Sequence, residues 1–156
     1  CLAHTLQLCL AGSEKALPDL SRLLAKIRSL CATLKNTKAR DIVRRYCLFL
    51  KAGEAILPCP TRWCSNFYMV ERFKDLIPGI EKAVNNGNLE EYGGEDTWLL
   101  SAEEKSLLQA FVFVLEPFEK VTRLAEGDSY VSIAHIPTWL VTLQTACAPC
   151  TVDSQS

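Results

Sequence analysis

Apolar residues recur along this chain at i, i+3, i+4 and i+7, the period of a helix with one buried side, and no stretch alternates as a half-buried strand would. Leu2, Leu6, Cys9 and Leu10 set a short first helix that ends at Gly12-Ser13. Asp19 is placed to cap the next, whose stripe runs Leu20, Leu23, Leu24, Ile27, Leu30, Cys31, Leu34. A third helix is expected over residues 38–51, burying Ile42, Val43, Tyr46 and Phe49 or Leu50. Two prolines around Cys59 make residues 53–60 an extended connection, because a residue before proline avoids the helical region.

From Thr61 or Ser65 the helical pattern resumes, with Phe67, Tyr68, Val70, Phe73, Ile77 and Ile80 inward and Pro78 expected to kink or divide it. Asn85-Asn86-Gly87-Asn88 and Gly93-Gly94 mark a loop reaching about Asp96. Ser101-Ala-Glu-Glu104 is a capping box that opens a long helix to about Ala125. Leu107, Leu108, Phe111, Val112, Val114, Leu115 and Phe118 make that helix apolar around much of its girth, which predicts a central position, with a bend at Pro117. A last helix covers roughly residues 133–146. The expected fold is all-α, an irregular multi-helix bundle of about six helices over residues 1–146 with a polar tail at 147–156.

Composition supports a folded chain. Of 156 residues, 49% are hydrophobic and 22% charged, which excludes a disordered polyelectrolyte, and no apolar run approaches the ~20 residues of a bilayer span. No membrane partner is expected. No secretory signal pattern is visible, and a cysteine at position 1 suggests a piece of something longer. Of the eight cysteines, Cys9, Cys31 and Cys47 fall among aliphatic residues at helical spacing and read as reduced core thiols.

The net charge of -1 conceals a division. Between Glu14 and Glu54 there are ten Lys or Arg against four acids, whereas between Glu81 and Asp128 there are eleven acids against four bases. A polyanion feels only the local field, within a Debye length of ~8–10 Å, so the first third could face nucleic acid and the later part could not. Arg22 and Lys26, four apart and clear of the apolar stripe, are candidate phosphate contacts.

Candidate chemistry concentrates at Pro60-Thr61-Arg62-Trp63, 59 positions after Cys1-x-x-His4. Arginine supplies a phosphate fork and indole a stacking surface, a pairing suited to a distorted or unpaired nucleotide. Spacing alone leaves a second reading open, in which Trp63 packs into the core at a helix start. Cys1 and His4 share one helical face, close enough for a common metal, but two further ligands would be needed. Cys147-Ala-Pro-Cys150 has zinc-like spacing without a second knuckle, and Cys59 and Cys64 form only a loose pair, so no metal and no cofactor is assigned. Trp98, His135 and Trp139 read as packing or boundary residues. Glu90, Glu91, Glu95 and Asp96 lack the ordered spacing of a calcium loop and read as a solvated face.

Cys1-Leu-Ala-His4-Thr-Leu6-Gln-Leu8, followed by Pro60-Thr61-Arg62-Trp63, Ser65, Tyr68-Met69 and Glu71-Arg72, resembles the hAT-family transposases and their domesticated BED-finger relatives. Similarity is most specific over residues 1–10 and 58–74, with Cys64 standing where relatives commonly carry asparagine. The resemblance implies the leading part of a helical insertion in a ribonuclease-H-like core. It also implies that Arg62 and Trp63 approach flanking DNA during hairpin formation, with Cys1 and His4 near the catalytic carboxylates. In that family two catalytic aspartates precede the Cys-x-x-His element and a glutamate lies far beyond. The chain by itself is therefore expected not to be an enzyme, and divalent metal is expected only in the full-length transposase core. DNA as partner, a nuclear setting, and self-association through other segments follow from the resemblance. A protein-interaction module and a decayed transposon fragment are the alternatives.

Overall fold

The computed structural model describes residues 12, 16–35, 37–47, 54–58, 64–126 and 135–148. Helix α1 is Pro18–Thr33, α2 Thr37–Tyr46 and α3 Cys64–Asn85; a 3-10 turn at Glu90–Tyr92 leads to the short α4 at Glu95–Trp98, then α5 at Ala102–Glu126 and α6 at Ile136–Ala146. No strand occurs among the described residues, and the fold is all-α. The first helix expected over Cys1 to Leu10, the Phe49 and Leu50 positions and the tail beyond residue 148 lie outside the described residues.

Asp19 does not cap α1. Leu17 occupies the cap position with no side-chain bond, and Pro18 opens the helix, where its fixed φ and missing N–H cost nothing. Asp19 sits in the first turn and pairs with Arg22 one turn on. Of the helix expected over residues 38–51, the described part ends at Tyr46, followed by a turn at Cys47 whose N–H is shared by the carbonyls of Val43 and Arg44, both at 3.2 Å; residues 48–51 lie outside the described residues.

Helix α3 is the central element, packing against α1, α2, α4 and α5. Phe67, Met69, Val70, Phe73, Leu76 and Ile80 point into the core, together with Ile27 of α1, Val43 of α2 and Leu108 of α5. Pro78 lies inside α3 without dividing it, on the exposed side. Beside it, Gly79 lets α2 approach: a Cβ there would stand 2.1 Å from Cys47 Sγ and 3.4 Å from the Val43 carbonyl oxygen. Gly79→Ala is expected to push the two helices apart and cost about 1–3 kcal/mol in a denaturant titration, as overpacking of a tight core does. An unchanged midpoint would mean that the Cys47 side chain swings clear.

The stretch after α3 is the irregular connection that its Asn and Gly content suggests, with only a 3-10 turn before the short α4, but it is packed onto the core. The helix ends in a Schellman motif, with Gly87 at φ +69°, its N–H on Val84 O (2.8 Å) and the Asn88 N–H on Ala83 O (3.0 Å). Leu89 and Trp98 then drop into the core, 1% and 2% exposed. Asn88 Nδ2 also donates to the Tyr46 hydroxyl at 2.7 Å, tying this segment to α2.

The expected capping box forms: the Glu104 N–H donates to Ser101 Oγ (3.1 Å) and the Ser101 N–H to Glu104 Oε2 (2.9 Å). Helix α5 packs on α3, α1 and α6, yet only part of its apolar girth is covered. Leu108, Phe111 and Leu115 are buried, but Phe113 is 69% and Leu124 62% exposed, so the second apolar side faces outward. Helix α6 buries only Leu143, against Val121, with Phe118 and Trp139 at the edge of this small second cluster. His135 stacks on Trp139 at the boundary, ring centroids 6.0 Å apart.

Cys31 and Cys47 are buried free thiols, and burial pushes Cys31 up to about 12 and raises Cys47, so both stay protonated and inert. Cys9 lies outside the described residues.

Candidate nucleic-acid interface

Arg62, Trp63, Cys1 and His4 lie outside the described residues. Cys64, the next residue after the Arg-Trp pair, opens α3. At that end of α3 the Arg28 guanidinium of α1 donates to Asn66 Oδ1 at 3.4 Å, which puts a cation beside the first turn of the helix.

Arg22 and Lys26 sit on another flank of α1. Arg22 pairs with Asp19 and shares a groove with Glu103 and Glu104. Lys26 does not point to open solvent as its place outside the apolar stripe suggests. Its ammonium donates to the Leu99 carbonyl (2.9 Å) and to both Glu104 oxygens (3.2 and 2.9 Å), fastening α1 to the start of α5. Partial burial would raise the Glu104 carboxyl, but the Lys26 ammonium and the Ser101 N–H outweigh it and hold it below its ordinary value. The stripe thus serves the fold at one position and borders an acidic groove at the other.

On α2 the balance is reversed. Asp41 and Glu54 both lie against Arg40, at 3.4 and 3.8 Å. Arg44 and Arg45 are exposed and take part in no ion pair among the described residues. Arg40 and Arg44 flank a cavity of about 110 Å³ floored by Leu34, Val43, Cys47 and Leu76.

A further polar cluster is one that the sequence pattern does not reveal. Glu119 of α5, only 5% exposed, accepts from the Tyr68 hydroxyl (2.5 Å) and from Arg123 Nε (3.0 Å), which locks α5 to α3. These bonds, to Tyr68 first and then Glu119, raise the Arg123 guanidinium further. The i, i+4 spacing of Glu119 and Arg123 was the available signal, but the tyrosine lies 51 positions away.

Among the described residues no three His, Cys, Asp or Glu side chains gather as metal ligands, and Cys147 is exposed while Cys59 and Cys150 lie outside them. No described helix is long and apolar enough to cross a membrane.

Comparison with known proteins adds one finding. The chain is 25% identical over 128 residues to human zinc finger BED domain-containing protein 4, covering 79% of this chain and 10% of that protein. It resembles a BED zinc-finger protein. The chain spans about a tenth of the length of that relative. No protein-family model matches it, and no solved structure does.

Proposed function

We propose that this chain is a DNA-contacting helical segment of a hAT-like transposase or of a nuclear protein derived from one, part of the insertion in a ribonuclease-H-like core. Its role is to hold distorted or unpaired DNA with Arg62 and Trp63 rather than to catalyse. The observation that carries the reading is the Pro60-Thr61-Arg62-Trp63 string directly ahead of α3, in a chain whose first third holds ten cations against four acids. Similarity to a protein named for its BED zinc finger supports it. Arg62 clamps the backbone phosphate by its planar fork, while Trp63 stacks on the base that has left the duplex. Cys1 and His4 sit beside the same DNA, and divalent metal belongs to the catalytic core of the longer protein.

The test is photo-crosslinking. A DNA hairpin with a photoreactive base in its unpaired loop is irradiated with the chain, and the adduct is expected on the peptide bearing Trp63. Adducts confined to other peptides would sink the reading.

One observation favours a second reading, a domesticated protein-interaction module. Phe113, Leu124, Leu140 and Val141 are 69, 62, 46 and 61% exposed on α5 and α6, apolar side chains that a protein partner would cover.

A further inference from the structure

We infer that the outward face of α2, carried by Arg44 and Arg45 with Arg40 beside them, is a phosphate-contacting surface for duplex DNA. The inference rests on the DNA-contacting reading and moves the electrostatic footprint to residues that no motif marks.

The ion pairs of the first third lead there. Among the described residues 16–58 the acids are Asp19, Asp41 and Glu54: the first is on Arg22, and the other two are on Arg40. Lys26 is held by Glu104. Arg44 and Arg45 are exposed and paired with no acid among the described residues, on a helix that also carries Lys38 and Arg40 within ten residues; Asp41, one turn before them on the same outward side, lies on Arg40. Helical geometry puts Arg40 and Arg44 one turn apart on one flank and Arg45 on the outermost face, while Ala39, Val43 and Cys47 face the core. The acid-rich stretch after Asn88 meets α2 at Tyr46, a half-buried position about 160° around the helix from Arg44.

Guanidinium forks match phosphate oxygens two at a time, and two of them within one helical turn suit the closely spaced charges of a duplex backbone better than a flexible acidic peptide. The alternative role is local: cations in a last helical turn complement the helix dipole, and Arg44 and Arg45 are in the last turn of α2. That role affects stability and leaves salt dependence of binding untouched, so the two are separable.

The 156-residue chain is titrated with a short duplex of arbitrary sequence between about 50 and 200 mM salt. R44Q/R45Q is expected to reduce the slope of log K against log salt by about 2, one for each phosphate no longer neutralised, and R45Q alone by about 1. R44K/R45K, which keeps the charges, is expected to retain the slope. Circular dichroism checks helix content throughout, with R45Q alone as the readout if the double variant unfolds. An unaltered slope in R45Q and R44Q/R45Q overturns the inference, as does tighter binding of poly-glutamate than of the duplex. Duplex binding with the expected slopes but no role for Trp63 at a hairpin removes only the stacking part of the proposed function. Failure of the unmodified chain to bind either DNA removes both.

Discussion

Phe73→Ala is expected to move the denaturation midpoint of the chain sharply downward. Phe73 is 1% exposed on the inward side of α3, the helix on which α1, α2, α4 and α5 all pack, so the void it leaves cannot close by movement of one neighbour. Deleting a buried phenyl ring costs about 3–5 kcal/mol, the lost transfer energy plus the cavity, against a total stability of roughly 5–15 kcal/mol for a domain. Phe113→Ala is the matched control. The same ring at 69% exposed should shift stability by no more than about 0.5 kcal/mol. Chemical denaturation followed by helical circular dichroism separates the two. Equal loss at both sites would mean that α3 is not the centre of the packing.

That contrast also shows where the sequence was legible. The i, i+3, i+4 stripe of α1 marked its buried residues well and that of α3 most of them, because each helix is apolar on one side and polar on the other; on α3, Met69 and Leu76 are buried outside the expected set while Tyr68 and Ile77 are half-buried. Ser101 and Glu104 were readable as a cap because both partners of a capping box lie within one turn. Helix α5 misled for the opposite reason: its apolar residues surround it, and a pattern of that kind states hydrophobicity without stating burial. Phe113 and Leu124 face water although nothing local distinguishes them from Phe111 and Leu115.

Segment 86–100 was hidden differently. Its glycines, asparagines and acids obey loop statistics, and although Trp98 was readable as a packing residue, Leu89 and Trp98 are too far apart to show a period. They are buried because α3 offers them a place, which is a tertiary fact. Gly87 and Asn88 were legible as a stop signal but not as the Schellman motif that turns the chain back.

Charge was legible as a sum and not as pairs. The sequence shows ten cations in the first third, and Arg22 and Lys26 stand out by their spacing. Their partners, Asp19 one turn away and Glu104 seventy-eight positions away, decide what is left over. Nothing local distinguishes Arg44 and Arg45 from Arg40, yet Asp41 and Glu54 both lie on Arg40. Part of the excess charge therefore sits on α2, one helix further along the chain, with Arg28 and Lys35 on the α1 side also unheld by any acid among the described residues.

The central claim is that Trp63 stacks on an unpaired base while the cations grip phosphates. Stacking of one base on an aromatic ring contributes about 1–3 kcal/mol by alanine substitution, a loss of roughly five- to 150-fold in affinity. A closed duplex offers no free base face, so the loss should be confined to DNA with a hairpin tip or an extruded base. Phosphate contacts are common to both DNAs and cancel in the ratio.

The decisive measurement is the ratio of hairpin to duplex affinity at one fixed salt concentration, for the unmodified chain and for Trp63→Ala. Stacking by Trp63 predicts a preference for the hairpin that falls by roughly five- to 150-fold in the variant, with duplex affinity unchanged. An equal loss on both DNAs, or a hairpin preference that survives the substitution, would contradict it.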